Sequence, residues 1–243
     1  MANQSKRDAP TANKLLAALS PTEFERLRTS VETVRLHLGQ IIYNQGEPIR
    51  EAYFPESGTI SLLSVTEDGL SIEVAIVGNE GMVGLPVPLG ITTALFQTVV
   101  QVQGSAAKIT ARVLTEEFRR TGVLHDMLLR HSYALLAQVS QTAKCNAFHT
   151  VERRLCRWLL MTADRVEADS FKLTQQFLSS MLGAARQRVN IVIRSLREAG
   201  LIDYVRGEMT IVDRKRVESA SCECYQAVKD AYDEAFGRSI WPS

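Results

Sequence analysis

Cysteine is scarce in this chain: four in 243 residues, at positions 145, 156, 222 and 224. So few, so placed, exclude a disulfide framework as the basis of the fold. No apolar run is long enough to span a bilayer, so no membrane partner is expected. The opening residues, MANQSKRDAPTANK, contain no apolar signal region, and a cytoplasmic protein is the expectation. Enzyme signatures are missing as well. There is no phosphate-binding Gly-Lys-Ser/Thr loop, no nucleophile elbow and no His-Glu-x-x-His run, so no catalytic residue, metal or cofactor is expected. Two local absences say more: residues 51–107 hold no Lys or Arg, and residues 170–197 hold no Asp or Glu.

Most of that acid-free stretch lies in LTQQFLSSMLGAARQRVNIVIRSLREAGLI, from Leu173 to Ile202, whose one carboxylate is Glu198. Its pattern predicts two short helices, about Thr174–Leu182 and Ala185–Ala199, joined by a turn at Gly183 and ended by Gly200. Lys172, Arg186, Arg188, Arg194 and Arg197 fall there with no carboxylate among them. A phosphate backbone tolerates such a surface, and the arrangement is that of a DNA-binding helix-turn-helix. Net charge is distributed to match. Residues 148–216 carry 13 Lys+Arg against 8 Asp+Glu, whereas residues 1–147 carry 13 against 14. Only the back half is built to meet a polyanion such as double-stranded DNA.

Within the second helix, Val189, Val192, Ile193 and Leu196 form the inward face at helical spacing. The opposite face offers Arg186, Gln187, Asn190, Arg194 and Arg197. Arg186 and Gln187 lie in the first turn, where an Arg fork fits guanine O6/N7 and a Gln amide fits adenine N6/N7. Arg188 and Arg194 suit phosphate contacts, which position without reading sequence. Thr174 can add a hydroxyl and a helix-end N–H to a phosphate. After Gly200, Leu201–Val205 and Met209–Val212 flank the turn Arg206-Gly207-Glu208, a hairpin that makes the motif a winged one.

Upstream, Asn13 to Leu27 reads as helix broken by Ser20-Pro21, with Ser20 as a cap. From Val34 to Val113 short β-branched runs alternate with turn residues: Gln40–Tyr43, Glu51–Phe54, Thr59–Val65, Ser71–Val77 and Thr98–Val102. They are separated by Gly46, Gly58, Asp68-Gly69, Gly78 and Gly104. Six or more short strands at this spacing predict a small antiparallel barrel or roll. Thr121 to Ala147 predicts one long helix with Leu124, Leu128, Leu135 and Val139 along a stripe, beside Met127, Tyr133 and Leu136. That stripe suits a partner helix or a core within one chain equally well. Thr150 caps a further helix to Val166, and Asp213 caps a last one carrying Val217, Cys224, Val228 and Tyr232. The fold class is α+β: a β-roll (14–120), a long helix (121–148) and a winged helix-turn-helix with a C-terminal helix (149–235).

With these segments in view, the chain resembles the Crp/Fnr family of bacterial transcription regulators over roughly residues 14–213. The matching features are NKLLAALSPTEFERL, YNQGEPIREAYFPESGTISLL, GNEGMVGLP, the long central helix and the helix-turn-helix itself. The resemblance implies a homodimer on palindromic DNA, an N-terminal sensor like those that bind cyclic nucleotides, and RNA polymerase as a partner. Departures are informative. The family's recognition helix usually opens with Ser-Arg; Ala185 replaces the Ser, and Arg186 keeps the Arg. Gln187 stands where Glu is common, and Ile191 where a polar reader is common. The family's cyclic-AMP turn is Gly-Glu-Leu-Gly, followed later by an Arg on the phosphate. Here the effector turn is Gly81-Met82-Val83-Gly84, and no cation lies between Arg50 and Lys108. A buried phosphate without a charge partner carries a large desolvation penalty, so no cyclic nucleotide is expected.

The family's oxygen-sensing branch holds an iron–sulfur centre on N-terminal cysteines, and here the first is Cys145. Cys145 and His149 have a chelating helical spacing, yet two ligands do not close a metal site. Cys222 and Cys224, two apart on the expected last helix, point to different faces. A haem ligand among His125, His131 and His149 stays open. The alternative to a DNA-binding regulator is a regulatory β-roll module that docks protein partners without DNA.

Overall fold

The computed structural model describes residues 11–241. Helices α1 (Lys14–Ala17) and α2 (Pro21–Arg28) lead. Ser20 caps α2 as expected: its hydroxyl accepts from the Glu23 amide, and the Glu23 carboxylate accepts from the Ser20 backbone. Five antiparallel strands follow: β1 (Glu32–Leu36), β2 (Ile41–Tyr43), β3 (Glu51–Val65), β4 (Ser71–Val77) and β5 (Gln97–Thr110). Their order is β1-β5-β3-β4, with β2 on the other end of β5. Asp68-Gly69 makes the β3–β4 turn, as its sequence predicts, with Gly69 at φ +83°.

Glycine spacing predicts breaks at Gly58 and Gly104, yet both lie inside long strands. The β3–β5 register shifts around Ser57 and Thr59, so these strands bulge where they cross. A Cβ at Gly104 would sit 2.1 Å from the Ser57 carbonyl oxygen, and one at Gly58 2.4 Å from that of Val102. The glycines permit close approach of two backbones rather than a reversal, and the expected six strands become five. The bends curl the sheet into a roll.

Helix α3 (Ala111–Phe118) leads to α4 (Val123–Phe148), the expected long helix. Leu124 and Leu128 are fully buried in the roll, so this part of the stripe belongs to the core. The exposed face carries Leu129, Tyr133 and Leu136 instead. After the junction His149-Thr150, α5 (Val151–Val166) begins with Thr150 as its cap. Then come β6 (Ser170–Lys172), α6 (Gln175–Leu182), α7 (Arg186–Glu198), β7 (Ile202–Val205), β8 (Glu208–Ile211), α8 (Arg214–Ala220) and α9 (Cys224–Phe236). The single last helix expected after Asp213 is two helices. Asp213 caps α8, which ends at Ser221, and α9 restarts at Cys224 and packs along α4. No helix among the described residues is long and apolar enough to cross a membrane.

Two buried polar systems tie the roll to the back half. Arg165 of α5 donates through Nε to Glu80 at 2.8 Å, and both side chains are about 1 % exposed. Glu80 also accepts from the Gly78 amide, while Arg165 reaches Gln138 of α4 and lies over the Trp241 ring. The second system starts at Glu73 of β4. Ser61 Oγ lies 2.6 Å from Glu73 Oε2 and 2.7 Å from Gln101 Oε1, but its single hydrogen serves one acceptor. Both contacts are satisfied when Glu73 is protonated and donates to Ser61, which donates to Gln101. Gln101 continues to Thr162 of α5 at 2.9 Å.

Burial raises the Glu73 carboxyl to about 7, against the opposing influence of Ser61, Arg157 and Arg165. Between its ordinary 4.5 and about 7 the folded state therefore holds a proton that the unfolded state has lost. Stability falls as pH rises through that window. Glu73→Gln keeps an N–H donor toward Ser61 and removes the titration. Its melting temperature should stay near that of the parent at pH 5 and exceed it by several degrees at pH 8. Thermal melts at the two pH values check this, and an unchanged difference would refute a protonated Glu73.

Candidate nucleic-acid interface

The positions of α6 and α7 follow from local chemistry. Thr174 caps α6 by accepting from the Phe177 amide at 3.1 Å, and its exposed hydroxyl hydrogen stays available. Gly183 ends α6 in the left-handed region at φ +55°, which turns the chain into α7. The Arg154 guanidinium of α5 donates to the Leu182 carbonyl at that same end. The Ala185 side chain provides no cap for α7, as an alanine must.

Val189, Ile193 and Leu196 are buried and Val192 partly so, which confirms the inward face. Arg186, Gln187, Arg188 and Arg194 are exposed. None of these three arginine side chains makes a hydrogen bond or ion pair among the described residues. Arg197 is exposed but pairs with Asp203 of β7 at 3.2 Å. Asn190 is half-buried, and its Oδ1 has no partner. Ile191, 62 % exposed, stands on the outer face near them. The wing closes on Arg206 and Gly207, both at positive φ, as a two-residue hairpin turn. Tyr204 of the wing donates to the Leu173 carbonyl at 3.0 Å, which fixes the wing to the start of α6. Strand β6 adds a third strand against β8, which alternation in the sequence is too short to show.

The effector turn Gly81-Met82-Val83-Gly84 lies against α4. His131, fully buried, places Nε2 3.3 Å from the Met82 amide nitrogen, and a Cβ at Gly81 would meet its ring at 2.4 Å. Burial holds the His131 pKa below its ordinary value, so the ring is neutral. Met82, Val83 and Gly84 line a cavity of about 370 Å³ together with Leu62, Phe96, Leu135 and Val139. Its remaining walls are apolar or uncharged, and no Lys, Arg, Asp or Glu reaches it.

Two family models match the chain: a cyclic nucleotide-binding domain over residues 33–121 and a Crp-like helix-turn-helix domain over residues 153–220. The chain belongs to the Crp/Fnr family of transcription regulators. It is therefore placed among regulators rather than enzymes. Its fold is similar to that of FixK2 from Bradyrhizobium japonicum, with 15 % identity and a TM-score of 0.68 over 79 % of this chain and 98 % of that one. A transcriptional regulator of the crp/fnr family from Eubacterium rectale aligns with 17 % identity and a TM-score of 0.66, covering 85 % and 97 %. The c-di-GMP responsive regulator CLP of Xanthomonas campestris aligns with 19 % identity and a TM-score of 0.64, covering 79 % and 99 %. No curated protein matches the chain in sequence.

In this Crp/Fnr regulator the roll touches the helix-turn-helix directly. A Cβ at Gly183 would lie 2.6 Å from Ile72 Cδ1 of β4, so the turn between the two helices rests on the roll. Sequence reasoning misses this contact, because an isoleucine in a strand gives no sign of which surface it covers. Glu80, next to that turn, is paired with Arg165.

An uncharged cavity has a direct consequence for cyclic nucleotides. A ligand at a hundred times its dissociation constant stabilises a protein by about 2.7 kcal/mol. Micromolar cyclic AMP and cyclic GMP should leave the melting temperature unchanged, and a shift of that order would show that the phosphate finds a partner.

Proposed function

We propose that this regulator binds a palindromic operator as a homodimer, with α7 in the major groove and the roll as its sensor. The observation that carries the reading is the outer face of α7: Arg186, Arg188 and Arg194 are exposed and form no ion pair among the described residues. Arg186 and Gln187, in its first turn, read base edges. Ile191 between them and Arg194 suits a thymine methyl group. Arg188, Arg194 and the Thr174 hydroxyl hold phosphates, with Arg197 joining them once it leaves Asp203; Asn190 contributes its amide from the half-buried edge. Residues 14–120 form the sensor, 121–148 the dimerisation helix and 149–235 the DNA-binding unit. The lining of the cavity favours a small apolar effector.

The dimer seam is the exposed stripe of α4, where Leu129, Leu136 and Ala143 recur every seven residues with Tyr133 beside them. Two-fold symmetry then places the recognition helices about 34 Å apart, with half-site centres roughly 10–11 base pairs apart. Leu136→Glu should yield folded monomers with weak operator binding, whereas Leu128→Glu should unfold the roll. Ultracentrifugation with circular dichroism separates the two; a dimeric Leu136→Glu protein would move the seam elsewhere.

Arg186 should decide sequence and Arg194 strength. Arg186→Ala should cost about 1–3 kcal/mol on the operator and flatten preference at one base pair. Arg194→Ala should weaken all sequences alike and reduce the salt slope by about one. Titrations against the operator, its single-base variants and random DNA at two salt concentrations measure both. Equal loss on every sequence for Arg186→Ala would place that side chain on the backbone. A wild-type protein without a salt slope would point to protein docking instead.

A further inference from the structure

The break between α8 and α9 brings together four side chains that the sequence keeps apart. Cys145 and His149 lie at the end of α4, and Cys222 and Cys224 flank the break. Cys222 precedes α9 instead of lying on it, so both thiols turn the same way rather than to different faces. The ligand atoms of all four lie within 4.8 Å of one another. Cys145 Sγ is 3.5 Å from Cys222 Sγ, and Cys224 Sγ is 3.6 Å from His149 Nδ1.

We propose that these residues form a tetrahedral site for a thiophilic divalent cation, zinc by its chemistry. With metal–sulfur bonds of about 2.3 Å and a metal–nitrogen bond of about 2.0–2.1 Å, tetrahedral ligand–ligand edges are about 3.5–3.8 Å. The two measured pairs stand at that separation, and three sulfurs with one imidazole are a donor set that suits zinc.

Two further observations single this cluster out from an ordinary buried thiol group. The free side of the His149 ring is held by a carboxylate: Nε2 lies 3.4 Å from Glu223 Oε2, and Glu223 is itself paired with Lys144 at 3.3 Å. An outer carboxylate that orients the imidazole is a common companion of metal-bound histidine. Two guanidiniums on α5, Arg154 and Arg157, are buried beside the cysteines, and neither has a carboxylate partner among the described residues. Each also leaves its Nε unpaired. Buried charge of one sign is costly without its opposite, and a dication bound by three thiolates is a net anion that offsets it.

The position gives the site a purpose. His149 belongs to the two-residue junction between α4 and α5, so a bound ion would fasten that junction to the α8–α9 link. The proposal needs no DNA and stands apart from the function argued above.

The test uses the full chain, purified and kept reduced with all four thiols titratable. Elemental analysis should find one zinc per chain after gel filtration. Stripped protein titrated with Co(II) should show tetrahedral ligand-field bands and sulfur-to-cobalt charge transfer of three-thiolate intensity. Cys222→Ser should lose one thiolate's share of that intensity together with tight binding. Because buried variants can misfold, Glu223→Gln on the surface serves as the second: it should keep stoichiometry and spectrum while lowering affinity about 10–100-fold. Fully reduced protein that binds neither metal would overturn the proposal. So would binding unaffected in the Cys222→Ser/Cys224→Ser double variant, or a Cys145–Cys222 disulfide forming as readily with zinc as without.

Discussion

The ion pair between Arg165 and Glu80 is the constraint around which the two halves are arranged. Both charges are out of water, and a buried pair is tolerated only when geometry and additional hydrogen bonds compensate desolvation. Here the compensation comes from every neighbouring element. The Gly78 amide serves Glu80, Gln138 of α4 and the Met161 carbonyl of α5 serve Arg165, and Trp241 covers the guanidinium face. Removing one partner of such a pair costs about 3–5 kcal/mol, so roll, long helix and helix-turn-helix half share one electrostatic anchor. Glu80 is two residues from Met82. The anchor therefore begins at the edge of the effector cavity.

From that edge, contact with the DNA-binding unit runs by more than one physical route. His131 faces the Met82 backbone and belongs to α4. Glu73, Ser61, Gln101 and Thr162 form a hydrogen-bonded line from β4 to α5. Ile72 abuts the turn that sets the angle between α6 and α7. All three involve strands β3 to β5 or the turn after β4. A change in roll curvature thus acts on α5 and on the helix-turn-helix together.

Much of this was legible in the chain, and for physical reasons. The helix-turn-helix declares itself locally: inward apolar spacing, a left-handed glycine at the turn and the missing carboxylates are all short-range features. Caps at Ser20, Thr150 and Asp213 are equally local, and each stands where its sequence predicts. What escaped is what depends on distant partners. Gly58 and Gly104 carry the marks of turns, and only the crossing of β3 and β5 makes them bulges. Leu128 and Leu129 are indistinguishable by type, and only the roll decides which is covered. Cys222 and Cys224 look divergent on an unbroken helix, and the break at Ser221 to Glu223 turns them toward Cys145.

One consequence concerns the wall that the cavity shares with the outside. Leu136 and Val139 of α4 line the cavity, and Leu136 is also 66 % exposed on the stripe assigned to the partner helix. Occupancy of the cavity and the association proposed above would thus share one side chain, Leu136. Thermodynamic reciprocity then applies: whatever factor association lends to cavity occupancy, occupancy returns to association. For the dimer proposed above, the concentration of the chain would therefore bear on the cavity as directly as a ligand does.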